Sequence, residues 1–133
     1  MKKFLFFLSM LLSLGAISAC SSAEDDKDTL IKKELAGVWE LKQFNKGWAQ
    51  ITTFESQEVT CCIYDDDIIE VSNKTDVDLS PFLNNGSYSY HLDTSNIIII
   101  NGIKFEYSIE NDVLRIEKDY SADGECYVFT KTN

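Results

Sequence analysis

From Val38 to Lys131 the apolar residues recur mostly at every second position, in short runs that break about every ten residues. Val38-Trp39-Glu40-Leu41-Lys42 alternates, as do residues 48–54 and 58–64. Ile103, Phe105, Tyr107 and Ile109 take one face while Lys104, Glu106 and Ser108 take the other. Leu114 and Ile116 alternate with Arg115 and Glu117, and Tyr127 and Phe129 flank Val128. A period of two sends successive side chains to opposite faces of a strand. The breaks carry turn chemistry: Asn45-Lys46-Gly47, Asp65-Asp66-Asp67, Asn84-Asn85-Gly86, Asn101-Gly102, Asn111-Asp112 and Ala122-Asp123-Gly124. Connections this short leave no room for crossover helices, so consecutive strands must lie antiparallel beside each other.

Eight or nine such strands in one meander must close on themselves or leave two raw edges. The expected class is therefore all-β, an antiparallel up-and-down meander closing into a small barrel of 8–9 strands. A short helix precedes it: Ile31 and Leu35 stand four apart, Asp28 is placed to cap, and Gly37 stops the run. Residues 71–86 form a longer, polar segment holding Pro81, the only proline.

Composition narrows the functions. The formal charge is −10, with Arg115 the only arginine. Nucleic-acid binding by counterion release needs clustered Lys or Arg, so nucleic acid is excluded as a partner. His91 is the only histidine, and it shares a strand face with Ser87 and Ser89, which reads as a solvated position. No Cys-x-x-Cys pair accompanies it, so no metal site or cofactor is expected. Asp65-Asp66-Asp67 lacks the glycine and glutamate spacing of a calcium loop and reads as an acidic hairpin tip. With no nucleophile paired to a base, the chain is expected not to be an enzyme.

The N-terminus supplies an address. Lys2 and Lys3 precede an uncharged apolar run over residues 4–17, too short to span ~30 Å of hydrocarbon comfortably. Small residues end it, as in a secretory signal. Ile17-Ser18-Ala19-Cys20 resembles the bacterial lipobox, which implies a signal peptide over residues 1–19, cleavage before Cys20, and acylation (palmitate among the chains) of that cysteine. Removing Lys2 and Lys3 with the signal moves the formal charge from −10 to −12. Ser21-Ser22-Ala23-Glu24-Asp25-Asp26 is similar to the export signal that sends lipoproteins of Bacteroidota to the cell surface. Residues 20–30 then form a lipidated acidic tether and 31–133 the folded domain. The resemblance implies an outer-membrane lipoprotein on the cell surface, or otherwise on the periplasmic face. Its contact with the membrane is through the N-terminal lipid. Asp28-Thr29-Leu30 resembles the short O-glycosylation motif of the same bacteria, with Thr29 as acceptor.

Within the domain, Leu35-Ala36-Gly37-Val38-Trp39 resembles the first motif of lipocalins, a helical turn and then Gly-x-Trp entering the first strand. Gly86-Ser87-Tyr88-Ser89-Tyr90, Asn96-Ile97-Ile98, Tyr107-Ser108-Ile109, the run from Asn111 to Ile116 and Cys126-Tyr127-Val128-Phe129-Thr130-Lys131 are similar to later strands of small bacterial lipocalin-like lipoproteins. The resemblance implies that Gly37 permits a tight turn and Trp39 plugs the closed end. Typical lipocalins stack a last-strand arginine on this tryptophan. Here Lys131, on the face of Tyr127 and Phe129, is the available cation, while Arg115 points outward. Trp48, Tyr88, Tyr90, Phe105, Tyr107 and Tyr127 are the candidates to line a site for an apolar or aromatic ligand. The expected function is a non-catalytic binding module for such a small molecule. The alternative is a protein–protein interaction module, an inhibitor or accessory subunit using barrel edge and loops.

Past Cys20 an odd set of cysteines remains: Cys61, Cys62 and Cys126. Cys61 sits with Val59 and Ile63 and should face the core, and Cys62 the outside. Cys126 lies opposite Tyr127 and Phe129 and should also face out. A disulfide in this exported domain would therefore join Cys62 to Cys126, provided their Cα atoms come within ~7 Å.

Overall fold

The computed structural model describes residues 30–47, 50–94, 96–119 and 124–132. A six-residue helix, α1 (30–35), leads into β1 (Gly37–Lys46), β2 (Gln50–Thr53), β3 (Val59–Ile63), β4 (Ile68–Asn73), β5 (Gly86–Thr94), β6 (Ile97–Ile100), β7 (Ile103–Glu110), β8 (Val113–Lys118) and β9 (Glu125–Lys131). Every pairing is antiparallel, and β1 pairs with β9 to close the sheet. The closed barrel uses eight strands, β1 and β3 to β9, and β2 is the extra one. β2 lies end to end with β3 along one edge of β1: Gly37–Glu40 pair with Thr60–Ile63, and Gln43–Lys46 pair with Gln50–Thr53.

The predicted turn chemistry explains the connections. At Asn101-Gly102 the two φ values are +48° and +82°, and at Asn111-Asp112 they are +52° and +59°. Two consecutive positive φ angles give the tight turn whose twist matches a hairpin, and Asn, Asp and Gly reach that region most cheaply. Register shifts between Leu41 and Gln43 on β1 and between Leu92 and Thr94 on β5 mark bulges. A bulge bends its strand and increases local twist, which a small barrel needs in order to close.

Alternation assigns the core. Trp39, Leu41, Phe44, Val59, Cys61, Ile63, Ile69, Val71, Tyr90, Ile98, Ile100, Phe105, Leu114, Ile116, Tyr127 and Phe129 all point inward and are buried. In a meander, successive connections alternate between the two ends. The helix end carries α1 and the turn at residues 64–67, tied by Lys32 Nζ to Asp67 Oδ1 at 2.7 Å. The opposite, loop end carries the β4–β5 connection, residues 74–85.

That connection departs from the sequence expectation of a polar excursion. Leu79, Phe82 and Leu83 are buried to within 1 % of full cover. They fold back over the barrel mouth, held by polar groups on their solvent side. Asn73 N donates to Asn85 Oδ1 at 2.6 Å and Asn85 Nδ2 returns a bond to Asn73 O at 2.9 Å. Asp78 Oδ1 accepts from Ser80 N and Oγ, and Tyr127 Oη donates to Leu79 O at 2.8 Å. The average polarity of the segment hid three apolar side chains on one surface.

Candidate functional site

The barrel interior is where the sequence placed a ligand, and the chain's own side chain occupies it. Phe82 packs edge-on to Tyr88 and Tyr127, at centroid distances of 5.5 and 5.7 Å, and tilts against Phe105 at 6.0 Å. Phe44 stacks on Tyr127 at 4.9 Å. Tyr88, Phe105 and Tyr127 are thus brought together as predicted lining residues, but around Phe82. Tyr90 lies toward the helix end, its hydroxyl donating to Tyr64 O at 2.7 Å, and Tyr107 is buried in the core. Between these three aromatics the centre is packed, because the β4–β5 connection supplies the Phe82 ring. Trp48, the remaining candidate, lies outside the described residues, as do Cys20, Thr29, the signal and all of the 20–30 tether but Leu30, which opens α1.

At the helix end, Gly37, Trp39 and Lys131 form one unit. Trp39 is fully buried, and its indole N–H donates to Leu35 O at 2.7 Å, capping α1 onto the barrel. Lys131 Nζ stands 5.4 Å from the Trp39 ring centroid and donates to Glu34 O at 3.2 Å. A cation over an indole face is attracted by the ring quadrupole. Gly37 has φ +138°, and a Cβ there would lie 2.9 Å from Lys131 Cε. The backbone angle is what demands glycine, and the lysine end packs into the space a Cβ would enter.

The cysteines correct the predicted disulfide. Cys61 is buried and Cys62 half-buried on the outer wall, so the face assignment on β3 stands as expected. Cys126 is covered, its Sγ 3.5 Å from Arg115 Nη2 and 3.8 Å from Glu117 Oε1, both residues of the outer wall. All three thiols are free. Cys62 sits opposite Val38 and Cys126 opposite Asn45, seven residues further along β1. At about 3.3 Å per residue that is roughly 20 Å, far beyond the ~7 Å a disulfide spans. The facing was readable; the height along the barrel depended on register.

Arg115 points outward, as expected, and pairs with Glu117 at 3.2 Å. His91 is exposed on β5. Asp65 to Asp67 form a hairpin tip whose last carboxylate is engaged by Lys32. Among the described residues no group of three His, Cys, Asp or Glu side chains converges as a metal site would.

One feature sequence reasoning missed is the edge of β2. Phe54 N donates to Lys42 O at 3.1 Å, continuing the β1–β2 ladder. In an antiparallel ladder the main-chain groups of alternate residues point to the same side. Thr52, like Phe54, therefore bonds toward β1, whereas the N–H and C=O of Ile51 and Thr53 point away from it. Among the described residues β2 pairs with β1 alone. The Ile51 side chain is 63 % exposed. The strand itself, Gln-Ile-Thr-Thr, carries no charge and no proline to blunt the edge. The signal was the weak core pattern of residues 50–53, which alternate without burying anything.

The buried hydroxyls and thiol set the alkaline limit of stability. Burial, followed by the Asp67, Asp65 and Asp66 charges, pushes the Tyr90 hydroxyl up to about 12 from its ordinary 10.0. Burial likewise pushes Tyr127 and Cys61 upward. Folded values above unfolded ones mean that the unfolded chain releases these protons more readily. The stabilisation is complete below the unfolded values of 9.0 to 10.0 and is lost as pH rises through the folded ones. Tyrosinate absorbance should accordingly rise in a cooperative, unfolding-linked step above pH 10. Ionisation of Tyr90 and Tyr127 with the near-ultraviolet circular dichroism intact would contradict their placement.

Compared with known proteins, the chain matches no family model and no curated protein. The fold and the geometry above therefore carry the functional argument.

Proposed function

We propose that this chain is an exported lipoprotein with a lipocalin-like barrel, held to the outer membrane by acylated Cys20 and displayed at the cell surface. It recognises a protein partner and catalyses nothing. Residues 17–26 support the address. The observation that carries the recognition mode is Phe82: its ring sits among Tyr88, Phe105 and Tyr127 where a small ligand would lie. Recognition then falls to the outside, where the free edge of β2 offers main-chain donors and acceptors beside an exposed Ile51. Addition of a partner's strand to such an edge takes affinity from main-chain hydrogen bonds and specificity from the flanking side chains.

Ile51→Pro tests this reading. It removes an N–H that points away from β1, a substitution an edge strand tolerates. Thermal melting should stay near that of the parent, while a photocrosslinker at Thr53 should lose its adduct in intact cells. An unchanged adduct would overturn edge recognition.

A second reading is favoured by one observation. Leu83, fully buried in the loop, has φ +76°, a conformation costly for a bulky residue. Strain of this kind collects at ligand clamps and switch regions. Withdrawal of the loop would release it and leave an aromatic hollow for an apolar ligand.

A further inference from the structure

The exposed apolar side chains at the helix end form a set of their own. Val38 and Tyr64 are 41 % and 44 % exposed and flank a surface groove of about 310 Å³ together with Gly37 and Cys62, with Asp65 at its rim. Val38 stands directly opposite Cys62 on the outer wall. Leu30, at the start of α1, is 61 % exposed. The only other large exposed hydrophobic among the described residues is Ile51, on β2 at the loop end. Three of the four therefore crowd the end from which the N-terminal segment leaves.

We propose that this end docks on the lipid surface, so that the barrel stands upright with its loop end and the β2 edge turned away from the membrane. The inference rests on acylation of Cys20, the reading made under the proposed function. From Cys20 to Leu30 is ten residues. An extended chain covers at most about 3.3–3.6 Å per residue, so α1 stays within roughly 35 Å of the acyl chains. Such a short leash turns membrane contact into an intramolecular event at high effective concentration, and a patch too small to hold a free partner then suffices. The chemistry of the patch fits the interface. Leucine and valine supply apolar area, and tyrosine presents an apolar body with a polar tip, suited to the headgroup boundary. Tyr64 Oη already donates to Glu70 at 3.2 Å and keeps that tip satisfied on the solvent side. The acidic character of the chain disfavours anionic headgroups, so the surface engaged is a zwitterionic one.

The native thiol of Cys62 is the reporter, since Cys61 and Cys126 are buried. Full-length protein is reconstituted in phosphatidylcholine vesicles containing brominated acyl chains, with an environment-sensitive fluorophore on Cys62. A second sample carries it at the loop end, on Asn101→Cys in a Cys62→Ser background. Mass spectrometry of the N-terminal peptide records acylation in each sample. The expected result is quenching at position 62 and none at 101, with loss of quenching in the triple variant Leu30→Ser, Val38→Ser, Tyr64→Ser that remains acylated. Acylated protein with equal quenching at both positions, or none at 62, overturns the docking and leaves the anchor intact. An unacylated N-terminus overturns the anchor and the docking together. Shielding of Cys62 in native membranes but not in protein-free vesicles assigns the patch to a protein partner and also overturns it.

Discussion

Trp39→Ala should remove a large part of this barrel's stability. Emptying a large buried aromatic site costs about 3–5 kcal/mol, against a total of roughly 5–15 kcal/mol for a domain of this size. Three losses coincide at this position. The cavity opens in the fully buried base of the barrel. Leu35 O loses its indole donor at 2.7 Å, and with it the peg that holds α1 across the barrel end. Lys131 Nζ loses the ring face it stands over. Urea denaturation followed by far-ultraviolet circular dichroism gives the number. A loss under about 1 kcal/mol, the size of a surface substitution, would remove Trp39 from the core. Trp39→Phe separates the contributions, since it fills most of the volume while removing the indole N–H. It should fall well short of the alanine variant.

Phe82→Ala should both destabilise the protein and create a binding site. The lost burial and the residual cavity together cost about 3 kcal/mol, the low end for a phenylalanine, because a loop collapses more readily than a strand. The hollow left behind is walled by Tyr88, Phe105 and Tyr127. Apolar cavities of this kind stay dry and accept small aromatic molecules. A saturating concentration of toluene or indole should therefore raise the melting temperature of the variant and leave the parent unchanged, since a ligand stabilises only the state that binds it. Stabilisation of the parent to the same degree would show that Phe82 already yields to a ligand, and would favour the small-molecule reading over edge recognition. No stabilisation of the variant would mean the loop closes over the gap.

Much of the architecture was legible in the residues alone. The period of two, with turn chemistry at Asn101-Gly102 and Asn111-Asp112, is a local property. Side-chain alternation and positive φ are decided within a few residues of chain. For the same reason Cys61 was readable as inward and Cys62 as outward. Lys131 as the cation near Trp39 was implied by the lipocalin resemblance, which puts a basic residue of the last strand on that ring, and its face with Tyr127 and Phe129 made it the available one.

What only the tertiary structure decided depends on which segments meet. Cys62 and Cys126 both face outward, yet they pair with opposite stretches of β1, and no local pattern states how far one strand slides past another. The division of one barrel edge between β2 and β3 leaves Ile51 and Thr53 with main-chain groups pointing outward, a consequence of closure that alternation cannot carry. Above all, the identity of the side chains that fill the interior was hidden. Leu79, Phe82 and Leu83 have no periodicity because they lie in a loop, and a loop buries a side chain only where a mouth exists to receive it. The sequence determined a barrel with an aromatic interior, through alternation; long-range packing decided that its own phenylalanine fills it.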